Sequence, residues 1–198
     1  MNYMNIVILG PQGSGKTTQA KILAQYLNLP HISTGKLIKS IVDNPNHPLH
    51  DEITKQYSSG NLVDDTIVNS ILSEAVGEAS KNGIGVILDG TPRKHPQVSL
   101  LDDLFHKFNK KIDLVVFINT SMKESRKRLL KRAEIEHRPD DTPEAIDRRL
   151  KLYVKETIPV LGEYKNRGIL KKVDGNPDVE TVSNAIRDVV ESFENTFR

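Results

Sequence analysis

One junction constrains this chain more than any other. The β-branched run Asn5-Ile-Val-Ile-Leu9 passes directly into Gly10-Pro-Gln-Gly-Ser-Gly-Lys-Thr17. The run has the character of a strand buried on both faces. The segment after it fits G-x-x-x-x-G-K-[ST], and a helix is expected from Gly15 to about Leu27. In that setting the glycines let the backbone turn with its N–H groups inward, and the helix start adds positive potential. A nucleoside triphosphate is the expected ligand. Gly13, Ser14 and Gly15 would cradle its phosphates, Lys16 would set an ammonium near the β and γ groups, and Thr17 or Thr18 would offer a hydroxyl towards Mg²⁺. The loop specifies a ligand class and leaves the reaction open.

The rest of the chain alternates short apolar runs with longer helical patterns, as in a parallel sheet covered by helices. Further strands are expected at Ile84–Asp89, Leu114–Ile118, Leu170–Val173 and, very short, Leu29–Ser33. Asp64 or Asp65 can cap a helix carrying Ile67, Ile71, Leu72 and Ala75, with Gly83 beyond its end. Pro96 can start another helix, and Ser121-Met-Lys-Glu124 is a capping-box pattern. Thr142-Pro143 pairs an N-cap with proline at the first helical position, and Asn176-Pro177 repeats that device before the last helix. That helix carries the apolar stripe Val179, Val182, Ile186, Val189, Val190 and Phe193. Asn44-Pro-Asn-His-Pro48 reads as a turn cluster, and Ala133 to Asp141 as a short polar connection.

The 198 residues suit one core domain. A chain 37% hydrophobic and 27% charged is expected to be globular and soluble. The absence of cysteine removes disulfides and thiolate metal sites. A net charge of +2 gives no reason to expect a nucleic-acid partner. No apolar stretch suggests a membrane span or an export signal, so a cytoplasmic protein is expected.

Several segments together, in order, resemble the adenylate kinases among the nucleoside monophosphate kinases. They are Gly10 to Gln19, His31-Ile-Ser-Thr-Gly35, Gly60-Asn-Leu-Val63, Leu88-Asp-Gly-Thr-Pro-Arg93 with Gln97, Arg128-Leu-Leu-Lys-Arg132, Arg138-Pro-Asp-Asp141, Arg148-Arg-Leu150 with Tyr153, and Thr157-Ile-Pro159. The resemblance implies an α/β three-layer phosphate-loop fold around a five-stranded parallel sheet. It also implies a helical monophosphate-binding insert at about 33–63 and a short lid at about 132–141. The implied reaction moves the terminal phosphoryl group of Mg·ATP to AMP, giving two ADP. ATP would meet the loop, Arg128, Arg132 and Pro177. AMP would meet Thr34, Lys39, Asn61, Leu62, Val63, Gly90, Thr91, Pro92, Arg93, Gln97, Arg138 and Arg149. Lys16, Arg93, Arg132, Arg138 and Arg149 would surround the moving phosphoryl group, while Asp89 would hold Mg²⁺ through water. The lid is too short, and too poor in cysteine, for the zinc-carrying type. A monomer is implied, with nucleotides as its only partners.

The residues support parts of this independently. Arg93 follows a strand at its C-terminal end, where open α/β sheets bind ligands. Gln97 carries both a donor and an acceptor, enough to read a purine edge. Guanidinium forks suit phosphates better than ammonium does. Asp140 and Asp141 could pair with the lid arginines. Six positions depart from the family pattern: Thr17, Lys36, Lys39, Asp64, Thr91 and Pro177. Lys39 stands where an arginine is expected, and Thr91 where an aromatic residue is. They keep open an acceptor such as UMP or CMP, or an ATP-binding regulator without turnover.

Overall fold

Five parallel strands form one sheet in the order β2-β3-β1-β4-β5. They are β1 (Ile6–Leu9), β2 (His31–Ser33), β3 (Ile87–Asp89), β4 (Leu114–Asn119) and β5 (Leu170–Asp174). The structure, a computed structural model, describes residues 4–58, 62–81, 83–136 and 142–196. The helices in that range are α1 (Lys16–Leu27), α2 (Thr34–Val42), α3 (His50–Ser58), α4 (Asp65–Ser80), α5 (Pro96–Lys107), α6 (Met122–Glu136), α7 (Pro143–Leu152), α8 (Ile158–Asn166) and α9 (Val179–Thr196). A wide π-helical turn, Tyr153–Thr157, joins α7 to α8.

The three-layer α/β expectation holds. Side chains of β1 alternate between two cores, because successive residues of a strand point to opposite faces. Ile6 and Ile8 pack with Leu23 and Leu27 of α1 and with Ile186 and Val190 of α9. Val7 and Leu9 pack on the opposite side with Leu101 and Phe105 of α5 and Tyr164 of α8. All four β1 residues are buried, each contributing about 1.5–3 kcal/mol of transfer free energy. This two-sided burial fixes β1 at the centre and carries the glycine loop to the sheet's C-terminal edge.

Local competition moves several boundaries. β2 begins at His31 because Asn28 and Leu29 still belong to the end of α1. Asn28 adopts φ 53°, and the Leu29 N–H donates to Ala24 O at 3.0 Å, a six-to-one closure. β3 contains only Ile87–Asp89, the residues in register with β1 and β2. Asp64 is the residue that caps α4, accepting from Thr66 N at 2.8 Å. The Ser121 box is half formed. Ser121 Oγ accepts from Glu124 N at 3.2 Å, but the Ser121 N–H donates to Asn176 Oδ1 and the Glu124 carboxylate turns to Arg128. With Asn176 so engaged, Asp178 caps α9 instead, accepting from Thr181 N at 2.9 Å. The expected Asn176-Pro177 start therefore lies two residues too early, and Val179 stands exposed outside the buried stripe. Thr142 caps α7 as expected, accepting from Ala145 N. Ala133 to Glu136 is the last turn of α6, not an irregular connection.

Candidate active site

The glycine loop leaves β1 at Leu9 and enters α1 at Lys16. It runs so close beneath α6 that position 13 has no room for a side chain. Gly13 has φ +79°, and a Cβ there would lie 2.5 Å from Ser125 O and 2.9 Å from Leu129 Cγ. Lys16 Nζ donates to Pro11 O at 2.7 Å, within the loop itself. Burial pulls the Lys16 ammonium from 10.5 to about 7; Arg93 acts in the same direction, Asp89 opposes it, and Arg132 lowers it further. The loop lysine therefore sits among cations with too little negative charge to balance it.

This has a consequence for anion binding. A polyphosphate beside Lys16 favours its protonated form, so its pKa rises on binding. Between the free and bound values, nucleotide binding takes up a proton, and affinity falls as pH rises above about 7. Calorimetry of ATP binding at pH 8, in two buffers of different ionisation enthalpy, should show net proton uptake. Equal apparent enthalpies in the two buffers would contradict this.

Asp89 closes β3 beside the loop and is buried. Thr17 Oγ1 and Ser33 Oγ each donate to its Oδ1 at 3.2 Å. His31 Nε2 lies 2.6 Å from its Oδ2. The parallel register produces this cluster, since Ser33 pairs with Asp89 across β2 and β3. A buried carboxylate with two hydroxyls beside a phosphate site is a hard oxygen set. It fits Mg²⁺, which keeps several waters and binds through few carboxylates plus substrate phosphates. The sequence assigned no role to His31 or Ser33; their shared partner, more than fifty residues away, is invisible locally.

A cleft of about 480 Å³ opens in front of the loop. Gly13, Gly15, Lys16, Thr17 and Thr18 line it. Leu62, Val63, Lys36, Lys39, Gly90 and Arg93 line it as well, and Arg128, Arg132 and Arg149 add a cationic wall. Tyr57, Tyr153 and Thr157 also line it, unforeseen as site residues. Arg93 is held through its backbone as well as its side chain. Its N–H donates to Gln97 Oε1 at 2.7 Å, its carbonyl accepts from Thr157 Oγ1 at 2.7 Å, and its Nε donates to Gly90 O at 2.8 Å. The π-helical turn, a feature frequent at functional sites, thus delivers Thr157 to the strand-end loop.

Some expected site residues stand outside this lining. Thr34 and Thr91 are buried beside it. Pro92 borders a small adjoining cavity with Lys16, Arg93 and Tyr153. Gln97 lies behind Arg93 in a crevice it shares with Asp65 and Thr91. Ser14 and Pro177 line a second crevice, which shares Gly15, Thr18 and Arg128 with the cleft and is lined also by Gln19 and Val179. There the Arg128 guanidinium donates to Glu124 Oε1, Gly175 O and Asn176 O, within 2.9 Å in each case. Most of its N–H groups are therefore committed, and its planar face is what it offers a ligand. Asn61, Arg138, Asp140 and Asp141 lie outside the described residues.

A phosphate loop at the C-terminal edge of a parallel sheet, facing an arginine-walled cleft of ligand size, defines a phosphate-loop nucleotide-binding protein built for phosphoryl chemistry. The family model for adenylate kinase matches residues 8–169. The chain is 40% identical over 184 residues to the adenylate kinase of Bifidobacterium longum, covering 92% of this chain and 97% of that one. It is 37% identical over 188 residues to the adenylate kinase of a Cyanothece species, covering 95% of each. With the adenylate kinase of Oenococcus oeni the identity is 38% over 190 residues, covering 96% of this chain and 98% of the other. The chain belongs to the adenylate kinase family. Among the described residues, no helix is long and apolar enough to cross a membrane.

Proposed function

We propose that the protein catalyses the reversible transfer of the terminal phosphoryl group of Mg·ATP to AMP, giving two ADP. One observation carries the reading: the phosphate loop, Arg93 and the cationic side chains of Arg128, Arg132 and Arg149 all line a single cleft. Phosphoryl transfer asks for two substrates in line and for neutralised charge, with little covalent help from the protein. An oxygen of the AMP phosphate attacks the γ-phosphorus, the bond from that phosphorus to the β,γ-bridging oxygen breaks, and both products leave as ADP. Gly13, Ser14, Gly15 and Lys16 hold the donor's phosphates, and Arg93 clamps the acceptor's. Arg132, Arg138 and Arg149 spread positive charge around the point of transfer. Asp89, with Thr17, would hold Mg²⁺ through water, and the ion would supply positive charge that offsets that of the phosphates.

The donor's adenine and ribose lie towards the face of Arg128 and the Pro177 crevice. The acceptor lies against the insert at about 33–63, through Thr34, Lys39, Asn61, Leu62 and Val63, with Gly90, Thr91, Pro92 and Gln97 beneath it. A lid at about 132–141 closes over both. The enzyme acts on small nucleotides as a cytoplasmic monomer, without zinc. A coupled assay for ADP from ATP plus AMP tests the reading; folded protein that forms none overturns it. Rates with AMP, CMP and UMP at fixed ATP test the acceptor, and preference for a pyrimidine would displace AMP.

Lys39 gives a milder test. Its Nζ pairs with Asp43 Oδ2 at 2.5 Å at the mouth of the cleft. Lys39→Arg keeps the charge and adds a planar fork, so the KM for AMP should fall about threefold with kcat nearly unchanged. Loss of turnover in initial-rate measurements would show that this side chain is misplaced.

A further inference from the structure

The side chain of Gln97 is buried and held from three directions. Its Oε1 accepts from Arg93 N at 2.7 Å and, at the long distance of 3.4 Å, from Thr91 Oγ1. Its Nε2 donates to Asp65 Oδ1 at 2.8 Å. The other Asp65 oxygen faces Lys94 Nζ at 3.0 Å. Asp65 is available for this because its neighbour Asp64 caps α4.

These partners fix which end of the amide points where. A carboxylate accepts and cannot donate; a backbone N–H donates and cannot accept. Turning the amide over would place Nε2 against the Arg93 N–H and Oε1 against the Asp65 carboxylate, losing both bonds and creating two repulsions. The amide therefore has one orientation. An Nε2 hydrogen remains uncommitted, and on Oε1 only the long Thr91 contact competes for the second lone pair.

We infer that Asp65 is a specificity-determining positioning residue: by locking the Gln97 amide against rotation, it makes the acceptor site accept a 6-aminopurine monophosphate and reject a 6-oxopurine one. The inference rests on the proposed placement of AMP beside Arg93 and Gln97. Adenine presents an amino donor at position 6 and an acceptor at N1, which match the remaining Oε1 lone pair and Nε2 hydrogen. A 6-oxopurine presents an acceptor at position 6 and a donor at N1, so both contacts become mismatched. A site whose buried polar groups are left facing like groups discriminates far more strongly than one relying on fit alone.

The test measures kcat/KM for AMP and for IMP in wild-type protein and in Asp65→Asn. Asparagine keeps the shape but can donate as well as accept, so one of the two constraints on the amide is removed. The AMP-to-IMP ratio is expected to fall at least about tenfold, as one discriminating hydrogen bond is worth. The KM for ATP and the melting temperature should stay near wild type. If AMP and IMP lose rate equally and the ratio holds, Asp65 only supports structure and the inference fails. Asp65→Ser, which removes the carboxylate with a smaller side chain, carries the same measurement should Asp65→Asn not fold. Wild-type protein that prefers a pyrimidine monophosphate would instead overturn the parent reading, an outcome visible before any variant is made.

Discussion

Lys16→Ala lowers kcat/KM by about 10³-fold or more, as loss of a group neutralising charge in phosphoryl transfer does. That corresponds to at least about 4 kcal/mol of transition-state stabilisation. The free protein should not be less stable for the change. In the unfolded chain the lysine has its ordinary pKa of 10.5, and in the fold it is lowered to about 7. Between those values the unfolded state binds the extra proton, so stability rises with pH across that window and the charged lysine opposes folding below it. Removing the side chain relieves this strain. Its one described protein hydrogen bond goes to Pro11 O, within its own loop. Activity should therefore collapse while the melting temperature at pH 7 holds or rises. A fall in both would assign Lys16 to the scaffold, and a loss of activity below tenfold would remove it from the phosphate site.

The contrast between what the sequence reveals and what it hides follows the range of each interaction. The strand, loop and helix from Ile6 to Leu27 are legible because burial, glycine spacing and helix start are all local signals. Asp89 and Arg93 are legible because an acidic residue and an arginine close an apolar run where α/β sheets bind ligands. The errors arise where several residues could satisfy the same local rule. Asn176 and Asp178 are both credible caps for α9. The choice is made by Ser121, 55 residues from Asn176, whose N–H takes the Asn176 side chain. Glu124 completes its capping box on paper, yet the Arg128 guanidinium claims it because that arginine is drawn towards Gly175 and Asn176. His31 and Asp65 have partners 58 and 32 residues away, and no spacing rule reaches so far. The chemistry of the site is thus readable as residue types, while its fine positioning is tertiary.

Arg93→Ala should lower kcat/KM for AMP by about 10³-fold, and Arg93→Lys by about 10²-fold, because lysine restores the charge without the bidentate fork. The backbone at this position is held independently of the side chain, through Gln97 Oε1 and Thr157 Oγ1, so neither substitution frees the loop. The loss should divide unequally between substrates. A clamp on the acceptor phosphate raises the KM for AMP and lowers kcat while leaving the KM for ATP nearly unmoved. The substitution should also be felt at Lys16. Arg93 is the largest cationic influence lowering that lysine, so Arg93→Ala lets its pKa climb back towards the ordinary value. The free protein then carries more of the proton that ATP binding otherwise takes up, and the uptake measured at pH 8 should shrink. Arg93→Lys, which retains the positive charge, should leave the uptake near wild type even as turnover falls. That separates the two roles of one side chain: its geometry serves the acceptor and its charge tunes the donor loop. Equal rises in the KM for ATP and AMP would place Arg93 on both phosphates at once, and unchanged proton uptake in Arg93→Ala would break the electrostatic link to Lys16.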